Sequence, residues 1–252
     1  ILAFSFCALI FFISFLFPVL QMLYWTIIFP KHLADLNLIE LFFNTTILVF
    51  LSSIVLISFA FISNYGNRLS KSKFLEILTT FSISGYAMPG IILAVAFITF
   101  ISWFDNNIVA YFKLETIKSI FIGSIIGLVV VYFIRFYSLA SNGIKSGYLK
   151  ISYSIDESAY LLGYSKFKTF KDIHIPYLKN SILLIGILIA IEIIKELPIT
   201  LIMRPFNFET FATQAYIYAS QDLLEAAAAP SLFLILIASF FILITSRYIL
   251  KD

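Results

Sequence analysis

The chain has 252 residues, of which 61% are hydrophobic and 12% charged, with 29 phenylalanines and a formal net charge of +3. Soluble proteins carry about 25% charged residues, so this composition is that of an integral membrane protein, and its apolar spans exclude soluble nucleic-acid binding. A single cysteine, Cys7, excludes an intrachain disulfide and a cysteine metal site.

The sequence opens at Ile1 inside an apolar run, which reads as a piece of a longer chain, and no basic region or small-residue cleavage site of a signal peptide follows. Residues 1–28 are long enough to cross a hydrocarbon core that needs about 20 residues. Pro18 offers a kink, and Tyr24 and Trp25 sit where an aromatic belt would lie. His32, in the link that follows, has no companion ligand at metal spacing and reads as a loop residue. Residues 38–62 form the second span, with Asn44, Thr45, Thr46, Ser52 and Ser53 available for helix contacts. The third, 77–103, is interrupted by Gly85, Pro89 and Gly90. Such breaks are tolerated only against protein or a wet cavity, so the Ser84 to Gly90 segment is a packing element, a pathway element or a plain kink.

The fourth span is expected at 114–136, with Gly123, Ser124 and Gly127 as a small-residue contact face. The fifth is expected at 177–201 and contains Glu192, Lys195 and Glu196. Their i, i+3, i+4 spacing puts them on one helical face and lets Glu192 pair with Lys195. Charges inside a membrane are costly unless paired or hydrated, which leaves a functional site and a structural ion pair both open. The link 203–230 holds Arg204 and Glu209 and is expected to form one or two surface or re-entrant helices before a sixth span at 231–249.

Between the fourth and fifth spans lies a polar island, Ser154 to Pro176. Ser154 and Glu157 have the spacing of a capping box. Ile155, Ala159 and Leu162 recur at i, i+4, i+7, predicting a short helix with one apolar face, and Gly163 suits a left-handed exit. A second short segment, 165–175, carries Lys166, Lys168 and Lys171 and is expected to end at Pro176. Placing the island in the cytoplasm gathers Arg68, Lys71, Lys73, Arg135, Lys145, Lys150 and Lys179 on the same side, with Arg247 and Lys251 at the end. Lys31, Lys113 and Arg204 remain opposite, a positive-inside pattern with both termini of the given chain cytoplasmic.

The island resembles the EAA loop of the integral membrane permease subunits of binding-protein-dependent ABC importers. That pattern has Glu-Ala-Ala, a Gly six positions after the Glu, then Ile-x-Leu-Pro; here Glu157, Ala159, Gly163, Ile173 and Pro176 match, while Ser158 and Ile175 depart from it with small or aliphatic side chains. Glu196 to Thr213 and the Met88 to Gly90 triplet are similar to ferric iron permeases of the FbpB type, most like their C-terminal half. The resemblance implies an all-α polytopic membrane protein with six spanning helices of the MetI-like type. It implies one transmembrane domain over 1–252 with a cytoplasmic coupling loop at about 150–176, in a bacterial inner membrane.

It further implies that Glu157, Ser158, Ala159, Leu162, Gly163, Ile173 and Pro176 couple to a cytoplasmic ABC ATPase dimer, and that a periplasmic binding protein delivers the cargo to an outer face including Arg204 and Glu209. A second permease half, fused or separate, completes the pair. Glu192, Lys195, Glu196, Pro89 and Gly90 are the candidate path residues. Ferric iron is the expected cargo, with thiamine, polyamine, sulfate or phosphonate as alternatives. Iron would want hard oxygen donors, for which Glu192, Glu196, Glu209, Tyr216 and Tyr218 are the groups to inspect, while carboxylates serving only as scaffold are the plainer expectation.

The chain itself has no P-loop, so ATP belongs to a partner and no cofactor is expected here. An enzyme is disfavoured because position 167 breaks the G-x-S-x-G elbow. The rival is a gradient-driven secondary transporter or channel with Glu192, Lys195 and Glu196 as a relay. It leaves the basic, capped island without a purpose.

Overall fold

The computed structural model describes residues 2–70, 72–112 and 121–249. Ile1, Lys71, Lys113, Lys251 and the Leu114 start expected for the fourth span lie outside the described residues. Six helices are long and apolar enough to cross a membrane. They are α1 (Ala3–Ile28), α2 (Leu38–Ser70), the start of α4 (Gly90–Phe112), α5 (Ile125–Tyr148), α7 (Lys166–Ile194) and most of α10 (Leu224–Ile249). Shorter helices lie between them: α3 (Lys73–Ile83), α6 (Tyr153–Leu161), α8 (Pro198–Met203) and α9 (Phe211–Ser220).

The number of spans matches the expectation from sequence, but several bounds move for one shared reason. Polar residues that read as membrane exits instead face other helices. Asn64 in α2 donates to Ser141 O and Ser141 Oγ in α5, both at 3.2 Å, and Ser138 and Ser141 are buried. So α2 runs on to Ser70 rather than stopping at 62, and α5 occupies Ile125–Tyr148 rather than 114–136. Arg135 therefore lies inside the fourth span and not in a cytoplasmic link.

Pro176 does not end a short helix as expected. A wide turn at Phe170–His174, closed by Ile175 N–H donating to Phe170 O, precedes it, and the helix continues through to Ile194. Proline lacks an N–H and collides with the carbonyl of the preceding turn, and a one-residue bulge relieves both demands. The same device precedes Pro18, where Phe17 N–H donates to Phe12 O. The third span is not one helix over 77–103: α3 ends at Ile83, Ser84–Ala87 forms a tight 3-10 turn, and α4 starts at Gly90. The last helix begins at Leu224, not 231, and carries Pro230 within it.

Lipid is as apolar as leucine, so helices in a membrane associate through close packing and polar contacts rather than through water exclusion. The core shows this between α2, α4, α5 and α7, where Leu48, Leu56, Leu128, Tyr132, Phe136 and Ile189 are fully or almost fully buried. Gly143 and Gly147 of α5 set its approach to α7, because an added Cβ would lie 2.5 Å from Ile185 Cγ1 or 2.8 Å from Leu178 Cδ2. The small face expected at Gly123, Ser124 and Gly127 does not form. Gly123 is in a turn at φ +66°, Ser124 caps α5 by accepting from Gly127 N–H, and Gly127 abuts the carbonyl of Phe121. Helix α1 has no buried residue in its span and packs on α10 through Phe17–Ile28.

Candidate functional site

The segment expected to couple is built more firmly than its sequence announces. Helix α6 starts after Ser152, whose hydroxyl accepts from Ser154 N–H, so the Ser154/Glu157 capping box does not form and Glu157 is exposed. It ends in the left-handed turn expected at Gly163, φ +82°. There Tyr164 N–H donates to Ala159 O and Gly163 N–H to Tyr160 O, each at 3.0 Å, the paired closure that satisfies the last helical carbonyls. Ala159 is buried, whereas Leu162 is 78% exposed, not part of an inward strip, and Leu161 is 89% exposed beside it. Ser158 and Pro176 are also exposed and Ile173 is half-buried.

What holds α6 is Asp156, a residue that no sequence motif singles out. Its Oδ2 accepts from Arg68 Nε at 2.7 Å and lies 2.6 Å from Arg68 Nη2, while its Oδ1 lies 2.6 Å from His174 Nε2. A carboxylate only accepts, so Nε2 carries the proton; Nδ1 of this fully buried imidazole has no partner among the described residues. Arg68 also donates to Ser152 O at 3.0 Å and Tyr148 O at 3.4 Å, and its guanidinium stacks 4.3 Å over the Tyr153 ring. Arg68 belongs to α2, Tyr148 to the end of α5 and His174 to α7, so α2 and α7 meet at one carboxylate and Arg68 ties in the end of α5. The joint is braced by Tyr65, whose hydroxyl donates to Lys166 O at 2.6 Å and whose ring packs on Phe170 and His174. A cleft of about 600 Å3 opens alongside, lined by Asn64, Asn67, Glu76, Thr79 and Lys145 among others.

The candidate path residues divide into two sets. Glu192 and Lys195 pair as expected, at 2.7 Å, with Lys195 exposed and Glu192 half-buried. Glu196 does not join them, because α7 ends at Ile194 and the chain turns at Leu197–Pro198. It is buried against α5, where Oε2 lies 3.3 Å from Arg135 Nε and Oε1 accepts from Ile199 N–H at 3.3 Å. Arg135 in turn donates to Met88 O at 2.8 Å. Gly90 is buried there; a Cβ on it would lie 2.9 Å from Glu196 Oε1 and 3.1 Å from Arg135 Nη1. Pro89 is exposed at the same break. Tyr132 Oη and Thr200 Oγ1 bond to each other, and Thr200 Oγ1 also donates to Glu196 O at 2.6 Å. An Arg–Glu pair thus locks the broken third span to the fourth and to the end of the fifth.

At the far end Arg204 pairs with Glu209, whose other oxygen accepts from Thr213 Oγ1 at 2.8 Å. This network shapes a turn through Asn207, φ +58°, that leaves Phe206 98% exposed. Burial holds the Arg204 guanidinium below its ordinary value. Glu192, Glu196 and Glu209 each face a separate cation, and no group of three or more His, Cys, Asp or Glu converges among the described residues. Tyr218 is half-buried in a cleft with Glu209, whereas Tyr216 is exposed and lines a separate, mostly apolar cleft with Lys195 and Leu197.

No protein-family model matches the chain. It is 20% identical over 253 aligned positions to the Fe(3+)-transport system permease protein FbpB 2 of Haemophilus influenzae (strain ATCC 51907 / DSM 11121 / KW20 / Rd), covering 99% of this chain and 47% of that protein. The chain therefore spans about half the length of this curated relative. Two solved chains share its fold. One is from a bacterial ABC transporter involved in the import of the acidic polysaccharide alginate, with a TM-score of 0.72 and 16% identity over 97% of this chain and 94% of that one. The other is from the bacterial alginate ABC transporter in complex with an alginate pentasaccharide-bound periplasmic protein, with a TM-score of 0.75 and 16% identity over 97% and 92%.

Proposed function

We propose that this chain, which has the fold of chains from ABC importers, is a permease unit of an ATP-driven importer. In this reading α6 seats on a cytoplasmic ATPase and the bundle carries a cargo handed over by a periplasmic binding protein. The observation that carries the reading is the two-sided build of α6. One face is fixed to α2 and α7 through Asp156, and the other presents Glu157, Ser158, Leu161 and Leu162 outward. A helix closed at both ends transmits displacement, whereas a loop would absorb it. The ATP would be held by the ATPase subunit, and a second permease half would complete the pathway. With α6 inside the cell, Arg68, Lys73, Lys145, Lys150, Lys166 and Lys168 lie on the cytoplasmic side and Lys31 and Arg204 outside, as the positive-inside rule asks.

Ferric iron is the proposed cargo, supported by the named function of the relative from Haemophilus influenzae alone. The three carboxylates give it no shared site in this chain, which suits a passage that must release what it carries.

The test is reconstitution of the chain with its ATPase and binding protein in proteoliposomes, following ATP-driven uptake of radiolabelled ferric iron with and without Leu161→Asp/Leu162→Asp. ATP-dependent uptake that the double substitution abolishes supports the assignment. Uptake driven by an ion gradient without nucleotide would establish the secondary-transporter alternative instead.

A further inference from the structure

The bonds around Asp156 and those around Glu196 lie near the two ends of one helix. His174 fixes the cytoplasmic start of the straight part of α7, and Ile194 ends it. At 1.5 Å per residue these 20 residues make a rod of roughly 30 Å. Just beyond its tip Glu196 holds Arg135, and Arg135 holds the carbonyl of Met88 beside the Gly90 break in the third span. Both oxygens of Asp156 are spent on donors from different spans, Arg68 in α2 and His174 in α7. The side chains of Arg68, Asp156 and His174 are 7%, 10% and 0% exposed, so water competes little for these bonds. Glu157, by contrast, points outward and bonds to none of these spans.

We propose that Asp156 is the positioning residue through which a displacement of α6 reaches the far end of the bundle, with α7 as the rod and the Arg135–Glu196 pair as the point of delivery at the Met88–Gly90 break. This rests on the importer reading and adds to it a route. The partner pushes the exposed face of α6, Asp156 passes the push to His174, and the rod moves the end of the broken span. Residues on the outer face of α6 make contact with the partner, and Asp156 passes that contact to the straight part of α7 beyond the wide turn at Phe170–His174. A leucine at 156 cannot do this, because it offers no acceptor to either the guanidinium or the imidazole N–H.

The experiment uses the full chain with Cys7→Ser, assembled with its ATPase in lipid nanodiscs, carrying Met88→Cys as a reporter beside Gly90. The rate of labelling by a water-soluble thiol reagent is compared with and without ATP and vanadate. The expected result is a rate that changes on nucleotide trapping in the Asp156-containing chain and does not change in Asp156→Leu, although the ATPase still co-purifies. Because Asp156→Leu leaves Arg68 and the His174 N–H buried without their acceptor, a second variant, Arg68→Met/Asp156→Leu/His174→Met, replaces all three by apolar groups that keep the packing. It should match the parent in thermal half-life and still lose the nucleotide response. His174→Gln, whose amide can donate to Asp156 Oδ1, should keep it. A nucleotide response retained in the apolar triple variant overturns the proposal. Failure of the parent to bind the ATPase at all would overturn the importer reading, and the route with it.

Discussion

Three glycine-to-alanine substitutions separate contacts with rigid backbone from contacts with yielding side chains. At Gly85 an added Cβ would sit 2.1 Å from the carbonyl oxygen of Ile134 and 3.0 Å from its carbon. Ordinary contact begins near 3.4 Å, so the Ser84–Ala87 turn and α5 must part by roughly 1.3 Å, and neither is a flexible side chain. Overpacking costs about 1–3 kcal/mol, and a backbone obstacle places Gly85→Ala at about 3 kcal/mol. At Gly90 the obstacles are the tips of Glu196 and Arg135, 2.9 and 3.1 Å away. These can swing aside for about 1 kcal/mol by weakening their own bonds. Gly66, inside α2, would place an alanine methyl with nothing within 4 Å of it, so alanine there gains helix propensity of about 0.8–1 kcal/mol.

At about 2–4 °C per kcal/mol for a chain of this size, the midpoints should fall by roughly 6–12 °C for Gly85→Ala, fall by about 2–4 °C for Gly90→Ala, and hold or rise for Gly66→Ala. The assay is loss of the monodisperse peak on fluorescence-detected size exclusion after heating, in one detergent and at one scan rate, since unfolding here is read as a rate. A Gly85→Ala chain as stable as the parent, or less harmed than Gly90→Ala, would refute the argument that the tight turn is seated against the fourth span.

Gly163→Ala should leave α6 in place but strain its exit, costing about 1–2 kcal/mol because φ is +82° with no steric contact nearby; a lower melting midpoint with unchanged helix content by circular dichroism checks this. Leu161→Asp and Leu162→Asp, at positions 89% and 78% exposed, should move the midpoint by less than about 0.5 kcal/mol equivalent while reducing co-purification of the ATPase. Arg204→Ala and Glu209→Gln remove an ion pair whose side chains are 21% and 26% exposed, so each should cost about 1 kcal/mol. Their combination in a double-mutant cycle should show coupling that weakens as salt is raised.

Features that depend on local pattern are legible in the sequence. Apolar runs mark the six spans, Gly163 marks a left-handed exit, and Glu192 with Lys195 at i, i+3 marks a pair that forms. Features that depend on partners far along the chain are hidden. Arg68 reads as one more basic residue at a membrane end, and Asp156 is overshadowed by Glu157 next to it. Only their meeting across 88 positions gives either a role. Asp156 does stand three before Ala159, so that spacing, rather than Leu162, marks the buried face of α6.

Grouping Glu196 with Lys195 assumes a continuous helix, and the turn into Pro198 cancels that assumption. The span ends shift because Ser138, Ser141 and Asn64 look like exits in one dimension and are contacts in three. The close approach of α5 to α7 is written in the spacing of Gly143 and Gly147, two glycines one helical turn apart, whereas the small residues nearer the start of the span serve a turn and a cap.

The wide turn before Pro176 also sets the phase of everything that follows. One additional residue in a turn is worth about 100° of rotation in a helix of 3.6 residues per turn. The faces of α7 beyond His174 are therefore offset from those a straight count out of Lys166 would give. Leu178 and Ile185 meet Gly147 and Gly143 only in that offset phase. Deleting one residue between Phe170 and His174 would leave composition, hydropathy and length almost untouched, yet would swing both side chains off their glycines and carry the imidazole away from its carboxylate.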